Sequence, residues 1–127
     1  MNEYLATADK NLLIVLQIET AEAVKNVEQI LSVDGVDAFF IGPADLSASL
    51  GFIGKWDHPR AVEATRSVLR AGKKLGVPGG IHAMNLDIAI QHAKDGFQFI
   101  ALGSDYGFLL KQAQASLEKV REGTARR

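Results

Sequence analysis

Short runs of apolar residues alternate along this chain with stretches in which apolar residues recur every three or four positions. Residues 12–18 (LLIVLQI), 36–41 (VDAFFI), 77–83 (VPGGIHA) and 97–103 (FQFIALG) have the length and continuity of strands buried in a parallel sheet. The third is weakened by Pro78 and two glycines. After the first run Thr20 is placed to cap a helix, with Ala23, Val24, Val27, Ile30 and Leu31 at helical spacing to about Ser32. Asp34-Gly35 is a turn, Gly42-Pro43 breaks the second strand, and Asp45 to Leu50 forms a short helical turn. Residues 51–57 form a loop, and His58-Pro59 opens a long helix whose buried face is Val62, Thr65, Val68, Leu69 and Leu75. Lys73 and Lys74 suit the end of that helix and Gly76 stops it. Asn85 caps a further helix to about Asp95, with Gly96 behind it. Ser104 or Asp105 caps the last one, with Leu109, Leu110, Ala113, Leu117 and Val120 on one face and a frayed tail after Glu122.

Four βα units predict an α/β fold with a parallel sheet and right-handed crossovers. Two closures satisfy the pattern: an open doubly wound sheet, or half of a (β/α)₈ TIM barrel, which typically needs about 250 residues. The run GSD at 103–105 does not match the glycine pattern of a dinucleotide-binding turn. With 127 residues and no linker, residues 1–127 read as a single domain with its core in about 12–121.

Composition narrows the function classes. Net charge is −1, so no nucleic acid or acidic membrane surface is expected as a partner. The basic end (Lys119, Arg121, Arg126, Arg127) reads as a solvated tail. There is no cysteine, hence no disulfide framework and no thiolate metal site, which fits a cytoplasmic protein. No stretch approaches the roughly 20 apolar residues of a membrane span, and the polar start MNEYLATADKN lacks the basic flank of a signal peptide.

The chemistry lies where strands end. Gln17 and Glu19 alternate with Leu16 and Ile18, so both polar side chains fall on one side of strand one. Glu19 reads either as a carboxylate in the first turn of a helix or as a ligand, since a buried carboxylate must be paired or metal-bound. Asp45 follows Gly42-Pro43-Ala44 at the equivalent end of strand two, and reads either as a plain N-cap or as a second ligand. Two carboxylates on neighbouring strand ends, beside a turn whose amides accept an anion, suit Mg²⁺ or Mn²⁺ with positions left for water and a 2-oxo acid. Co²⁺ and Zn²⁺ are also compatible with the donors. His82 in strand three faces the same pocket or serves only packing, while His58 and His92 read as surface residues. None of the lysines lies on a strand end, which disfavours Schiff-base chemistry. Phe39, Phe40, Phe97 and Phe99 read as core.

The runs VLQIET, ILSVDGVDAFFIGPADLSASLG, HP at 58–59 and FIALGSD resemble the HpcH/HpaI aldolase family over about residues 4–121. Those proteins are class II, metal-dependent pyruvate aldolases that cleave 4-hydroxy-2-oxo acids to pyruvate and an aldehyde. Their fold is a (β/α)₈ barrel of the phosphoenolpyruvate/pyruvate type, usually a hexamer with the last helix exchanged. The resemblance implies Glu19 and Asp45 as metal ligands, Gln17 against the 2-oxo acid, and the amides of Ala44 and Asp45, in the turn made by Gly42 and Pro43, on its carboxylate. It extends only over the family's C-terminal half, strands five to eight. The family's catalytic arginine and base-assisting histidine belong to the other half, so no catalytic residue is assigned within this chain. Arg60, Arg66 and Arg70 fall on a helix and the remaining arginines at the end. Where His82 stands, many members of the family carry an aliphatic residue.

A half barrel exposes two strand edges, so the resemblance implies a homo-oligomer in which two copies close eight strands, or a piece held by a partner. Beside the aldolase reading stand a non-catalytic module that binds metal or pyruvate and a citrate-lyase-like acyl-CoA lyase. A phosphate-binding half barrel using Gly103-Ser104 is a further reading.

Overall fold

A computed structural model describes residues 2–125. Helix α1 (Asn2–Asn11) leads into strand β1 (Val15–Gln17), followed by helices α2 (Ala21–Lys25) and α3 (Val27–Leu31). Strand β2 (Ala38–Ile41) is followed by helices α4 (Pro43–Ser49) and α5 (Pro59–Leu75). Strand β3 (Gly79–Ala83), helix α6 (Leu86–Asp95), strand β4 (Phe99–Leu102) and helix α7 (Asp105–Thr124) complete the order. The four strands pair in parallel in the order β1-β2-β3-β4. A doubly wound sheet reverses its strand order at a switch point. Here every strand lies beside its sequence neighbour, so the winding is that of a barrel wall.

Local chemistry explains the boundaries. Thr20 Oγ1 accepts from Ala23 N at 3.0 Å, Asn85 Oδ1 from Ile88 N at 3.0 Å and Ser104 Oγ from Gly107 N at 3.2 Å, each satisfying an amide of a first turn. His58 caps α5 through Nδ1, which accepts from Arg60 N at 3.2 Å, and its ring stacks on Phe52. The run from Thr20 to Ser32, expected as one helix, is divided at Asn26 into α2 and α3.

The core lies between one face of the sheet and the helices. Ile18, Phe39, Ile41 and Ile81 from the strand segments meet Val27, Leu31, Leu46, Val68 and Leu69 from the helices. The opposite face is open. Phe99 is 54% exposed and Gln17 is also exposed, while Phe40 packs against Phe99 with ring centroids 5.4 Å apart. Phe39 and Phe97 are therefore core, as expected, whereas Phe99 is not.

Three further expectations differ. Strand one was expected from residue 12, but Leu12 and Leu13 are 64% and 73% exposed and the strand begins at Val15. As an edge strand, β1 has one neighbour, and Leu12 and Leu13 lie ahead of Ile14, whose N–H donates to Asp37 Oδ2 at 2.7 Å. On α5 the buried residues are Ala61, Val68, Leu69, Ala71 and Gly72, while Val62 and Thr65 are half-buried and Leu75 is exposed. The apolar stripe of α7 is uncovered: Leu109, Leu110, Leu117 and Val120 are exposed. Arg126 and Arg127 of the basic end lie outside the described residues. Among the described residues no helix is long and apolar enough to cross a membrane.

His92 is not a surface residue. Its ring meets Phe97 edge-on at 5.4 Å, and Nδ1 is buried without a partner. Burial holds its pKa below the usual imidazole value, opposed by the charge of Asp95. The unfolded chain therefore takes up this proton at higher pH than the folded one. The stability that goes with neutral His92 is complete above about pH 6.5 and is lost as pH falls through the folded pKa. Urea midpoints are expected to fall between about pH 7.5 and about pH 5.5, and to fall less in His92→Gln.

Candidate functional site

The ladder of β1 continues one step past Gln17, where Ile18 N donates to Phe40 O at 2.8 Å. Glu19 follows, and Thr20 takes the N-cap. Glu19 thus precedes its helix, and the first-turn acid of α2 is Glu22. The reading of Glu19 as a first-turn carboxylate does not hold. On the next strand Gly42 is the N-cap of α4, Pro43 opens it, and Asp45 is its third residue. Asp45 is therefore not an N-cap either.

Gly42 measures how close the two acids come. A Cβ on Gly42 would overlap Glu19 Oε1 and would lie 3.1 Å from Glu19 Cδ and 3.2 Å from Asp45 Oδ2. Both carboxylates close over the one backbone carbon that has no side chain. Burial, with the charge of Asp45 added, raises the Glu19 pKa above the usual carboxylate range. A cation between the two groups would reverse that repulsion. Two anionic oxygen donors suit a hard divalent ion that keeps several waters. Among the described residues there is no group of three or more His, Asp or Glu side chains placed to hold a metal. Ser49 Oγ accepts from Ala21 N at 3.0 Å and so ties the end of α4 to the start of α2, fixing the segments that carry the acids.

Register brings the other candidates to the same face. Gln17 pairs with Phe40, Phe40 with Gly80 and Gly80 with Phe99. Two residues further along on that side, His82 pairs with Ala101, while Glu19 and Gly42 lie just past the ends of β1 and β2. His82 is half-buried, with Nε2 3.2 Å from Gly103 O. It lines a cavity of about 250 Å³ together with Pro43, Ala44, Trp56, Arg66 and Met84. It also lines one of about 700 Å³ with Asn85, Asp87, Tyr106 and Lys111. Glu19 and Asp45 line neither cavity. The amides of Ala44 and Asp45 belong to the first turn of α4, whose cap residue Gly42 has no side chain to satisfy them.

Other groups are engaged elsewhere. Arg70 pairs with Glu63 at 2.7 Å, Arg60 lies over the Phe52 ring, and Lys74 pairs with Glu28 at 2.9 Å. Lys73 Nζ donates to Asp95 O at 2.6 Å. The Ser104 hydroxyl oxygen caps α7, accepting from Gly107 N. Ser49 and the Gly103 carbonyl were not singled out from the sequence. A serine inside a helix and a backbone oxygen carry no local signal of a partner more than twenty residues away.

A family model described as HpcH/HpaI aldolase/citrate lyase matches residues 2–112. The chain is 40% identical over 119 residues to a hydroxypyruvate/pyruvate aldolase of Paraburkholderia phytofirmans, covering 94% of this chain and 46% of that protein. It is 40% identical over 113 residues to a 4-hydroxy-2-oxo-heptane-1,7-dioate aldolase of Shigella sonnei, covering 89% and 43% respectively. The crystal structure of an HpcH/HpaI aldolase/citrate lyase family protein from Burkholderia cenocepacia superposes with a TM-score of 0.91 at 40% identity, covering 94% of this chain and 46% of that one. The chain thus spans under half the length of the curated relatives it matches. Its four βα units correspond to about half of a TIM barrel. With the match running over most of its length, the chain belongs to the HpcH/HpaI aldolase/citrate lyase family.

Proposed function

We propose that this chain carries the metal- and 2-oxo-acid-binding half of a class II pyruvate aldolase site, which cleaves a 4-hydroxy-2-oxo acid to pyruvate and an aldehyde. The observation that carries the reading is the convergence of Glu19 and Asp45 over Gly42. In this reading the two carboxylates hold Mg²⁺ or Mn²⁺, with Co²⁺ or Zn²⁺ as substitutes. A bound cation supplies Lewis acidity toward the ketone of the oxo acid. The Gln17 amide, on the same side of β1 as Glu19, donates to the oxo acid. The amides of Ala44 and Asp45 hold its carboxylate at the start of α4, and Gly42-Pro43 shapes that turn. Fixing the acid at both ends holds its C3–C4 bond in one orientation for cleavage. Of the arginines of α5, Arg70 pairs with Glu63, Arg60 lies over the Phe52 ring, and Arg66 lines the cavity it shares with Pro43, Ala44 and His82. In this reading the group that completes the site belongs to the other half of the barrel, since the chain spans under half of its relatives' length.

The test follows the methyl protons of pyruvate by NMR in D₂O with Mg²⁺ or Mn²⁺ present. Loss of the methyl signal catalysed by the chain supports retained proton chemistry. Metal binding without exchange favours a module that binds metal and oxo acid without turnover. Absence of metal binding removes the site.

Two predictions belong to this reading. Gly42→Ala puts a methyl group where Glu19 Oε1 stands. It is expected to weaken metal binding by at least about tenfold in calorimetry, the scale of losses from disturbed ligand orientation. The open sheet face and the exposed stripe of α7 are expected to be covered by a second copy. Sedimentation should then show concentration-dependent self-association, and a folded monomer persisting at high dilution would remove that expectation.

A further inference from the structure

Glu19 is held on both sides. Ahead of it, Ile18 N donates to Phe40 O at 2.8 Å in the last step of the ladder between β1 and β2. Behind it, Ala21 N, the first amide of α2, donates to Ser49 Oγ at 3.0 Å. Phe40 and Ser49 bracket the other acid in the same way, since Gly42 and Asp45 lie between them. The two hydrogen bonds and the chain segments 18–21 and 40–49 therefore form one closed ring that carries both carboxylates. Asp45 and Ser49 are four residues apart, so they share one face of α4. That face brings a carboxylate to Gly42 beside Glu19, and a hydroxyl to the amide two residues after Glu19. Nothing else makes the second tie. The Thr20 hydroxyl is used on Ala23 N, and among the described residues no other hydrogen bond joins α2 to α4. Ser47, the other serine of α4, is buried and bonds within the helix, to Ala44 O at 2.8 Å.

We propose that Ser49 is a positioning residue for the metal site: by holding the start of α2, its hydroxyl fixes the spacing of Glu19 and Asp45, and with it the preference for a small cation over a large one. This rests on Glu19 and Asp45 being the metal ligands. Mg²⁺ demands near-ideal octahedral geometry at about 2.0–2.1 Å, whereas Ca²⁺ takes about 6–8 oxygens at about 2.3–2.6 Å in flexible arrangements. A closed ring favours the first. Opening it leaves Glu19 tied on one side only, which the larger and less demanding ion tolerates.

The test titrates the whole chain with Mg²⁺ and with Ca²⁺ by calorimetry. Ser49→Ala is expected to weaken Mg²⁺ binding about tenfold, the lower end of what partners of metal ligands contribute, and Ca²⁺ binding less than about twofold. Ser49→Thr keeps a hydroxyl and is expected to keep the parent ratio of the two affinities. Ser32→Ala removes a hydroxyl that donates to Glu28 O at 2.6 Å at the end of α3 and takes no part in the ring, so it should change neither affinity. Hydrogen exchange followed by NMR without metal should show the Ala21 amide losing protection in Ser49→Ala and keeping it in Ser49→Thr. Equal losses for the two ions would make Ser49 a support of the fold and not of the spacing, and would overturn the assignment. Unchanged Mg²⁺ affinity in Ser49→Ala would overturn it as well. Failure of the unsubstituted chain to bind either ion would overturn the metal-site reading and this assignment with it, so the parent titration tells the two failures apart.

Discussion

Glu19→Gln is expected to lower affinity for Mg²⁺ or Mn²⁺ by at least about 100-fold and to abolish exchange of the pyruvate methyl protons. Residues that merely orient ligands cost about 10–100-fold when changed, and a ligand itself costs more. Stability without metal should move the other way. Burial and the charge of Asp45 both disfavour ionised Glu19, so a neutral amide relieves a repulsion in the folded state. Calorimetric titration and metal-free thermal unfolding measure the two effects separately. Lower metal affinity with an unchanged or raised Tm is the signature of a site that gives up stability for function. Asp45→Asn should behave alike. The double variant should lose little more than either single one, because two ligands of one ion act as a unit. Neutral variants that bind metal as well as the unsubstituted chain would sink the assignment.

What could be read from the chain was what depends on near neighbours. Thr20, His58, Asn85 and Ser104 cap their helices within three residues of themselves, so each start is visible locally. The acids were visible because they follow apolar runs. Helix α1 was missed because MNEYLATADKN has helix-forming residues but no apolar stripe. Burial was the weaker reading. Leu12, Leu13 and the stripe of α7 have the apolar character of core residues, yet whether they are covered depends on what lies across from them. His92 shows the converse, since a histidine among polar helix residues gives no hint that the Phe97 ring packs edge-on against it. The role of Gly42 was likewise hidden. Gly-Pro reads as a strand breaker, and only the fold shows that its missing Cβ leaves room for two carboxylates.

Phe39→Ala is expected to cost about 3–5 kcal/mol, toward the upper end for a buried aromatic ring. The ring is fully buried in β2, whose register sets Phe39 between Leu16 and Gly79. It occupies the space of two absent side chains. A Cβ on Gly72 of α5 would overlap Phe39 Cε1 and lie 2.9 Å from Cζ, and one on Gly79 would overlap Cζ and lie 2.9 Å from Cε2. Because both facing positions are glycines, neither has a side chain to swing into the cavity, and less of the loss is recovered by relaxation. A typical domain has about 5–15 kcal/mol in total, and a sheet covered on one face only belongs at the low end. The variant should therefore unfold at much lower urea concentration than the parent chain. Phe99→Ala is the control, removing a ring of the same size from the open face, where it is 54% exposed. Its cost should be less than half that of Phe39→Ala, since roughly half of the ring's transfer free energy is already forgone. The ratio of the two urea midpoint shifts decides which side of the sheet is the core. Equal shifts would mean that the face bearing Phe99 is covered in solution, by self-association or by a partner, and the ratio measured across protein concentrations separates those two.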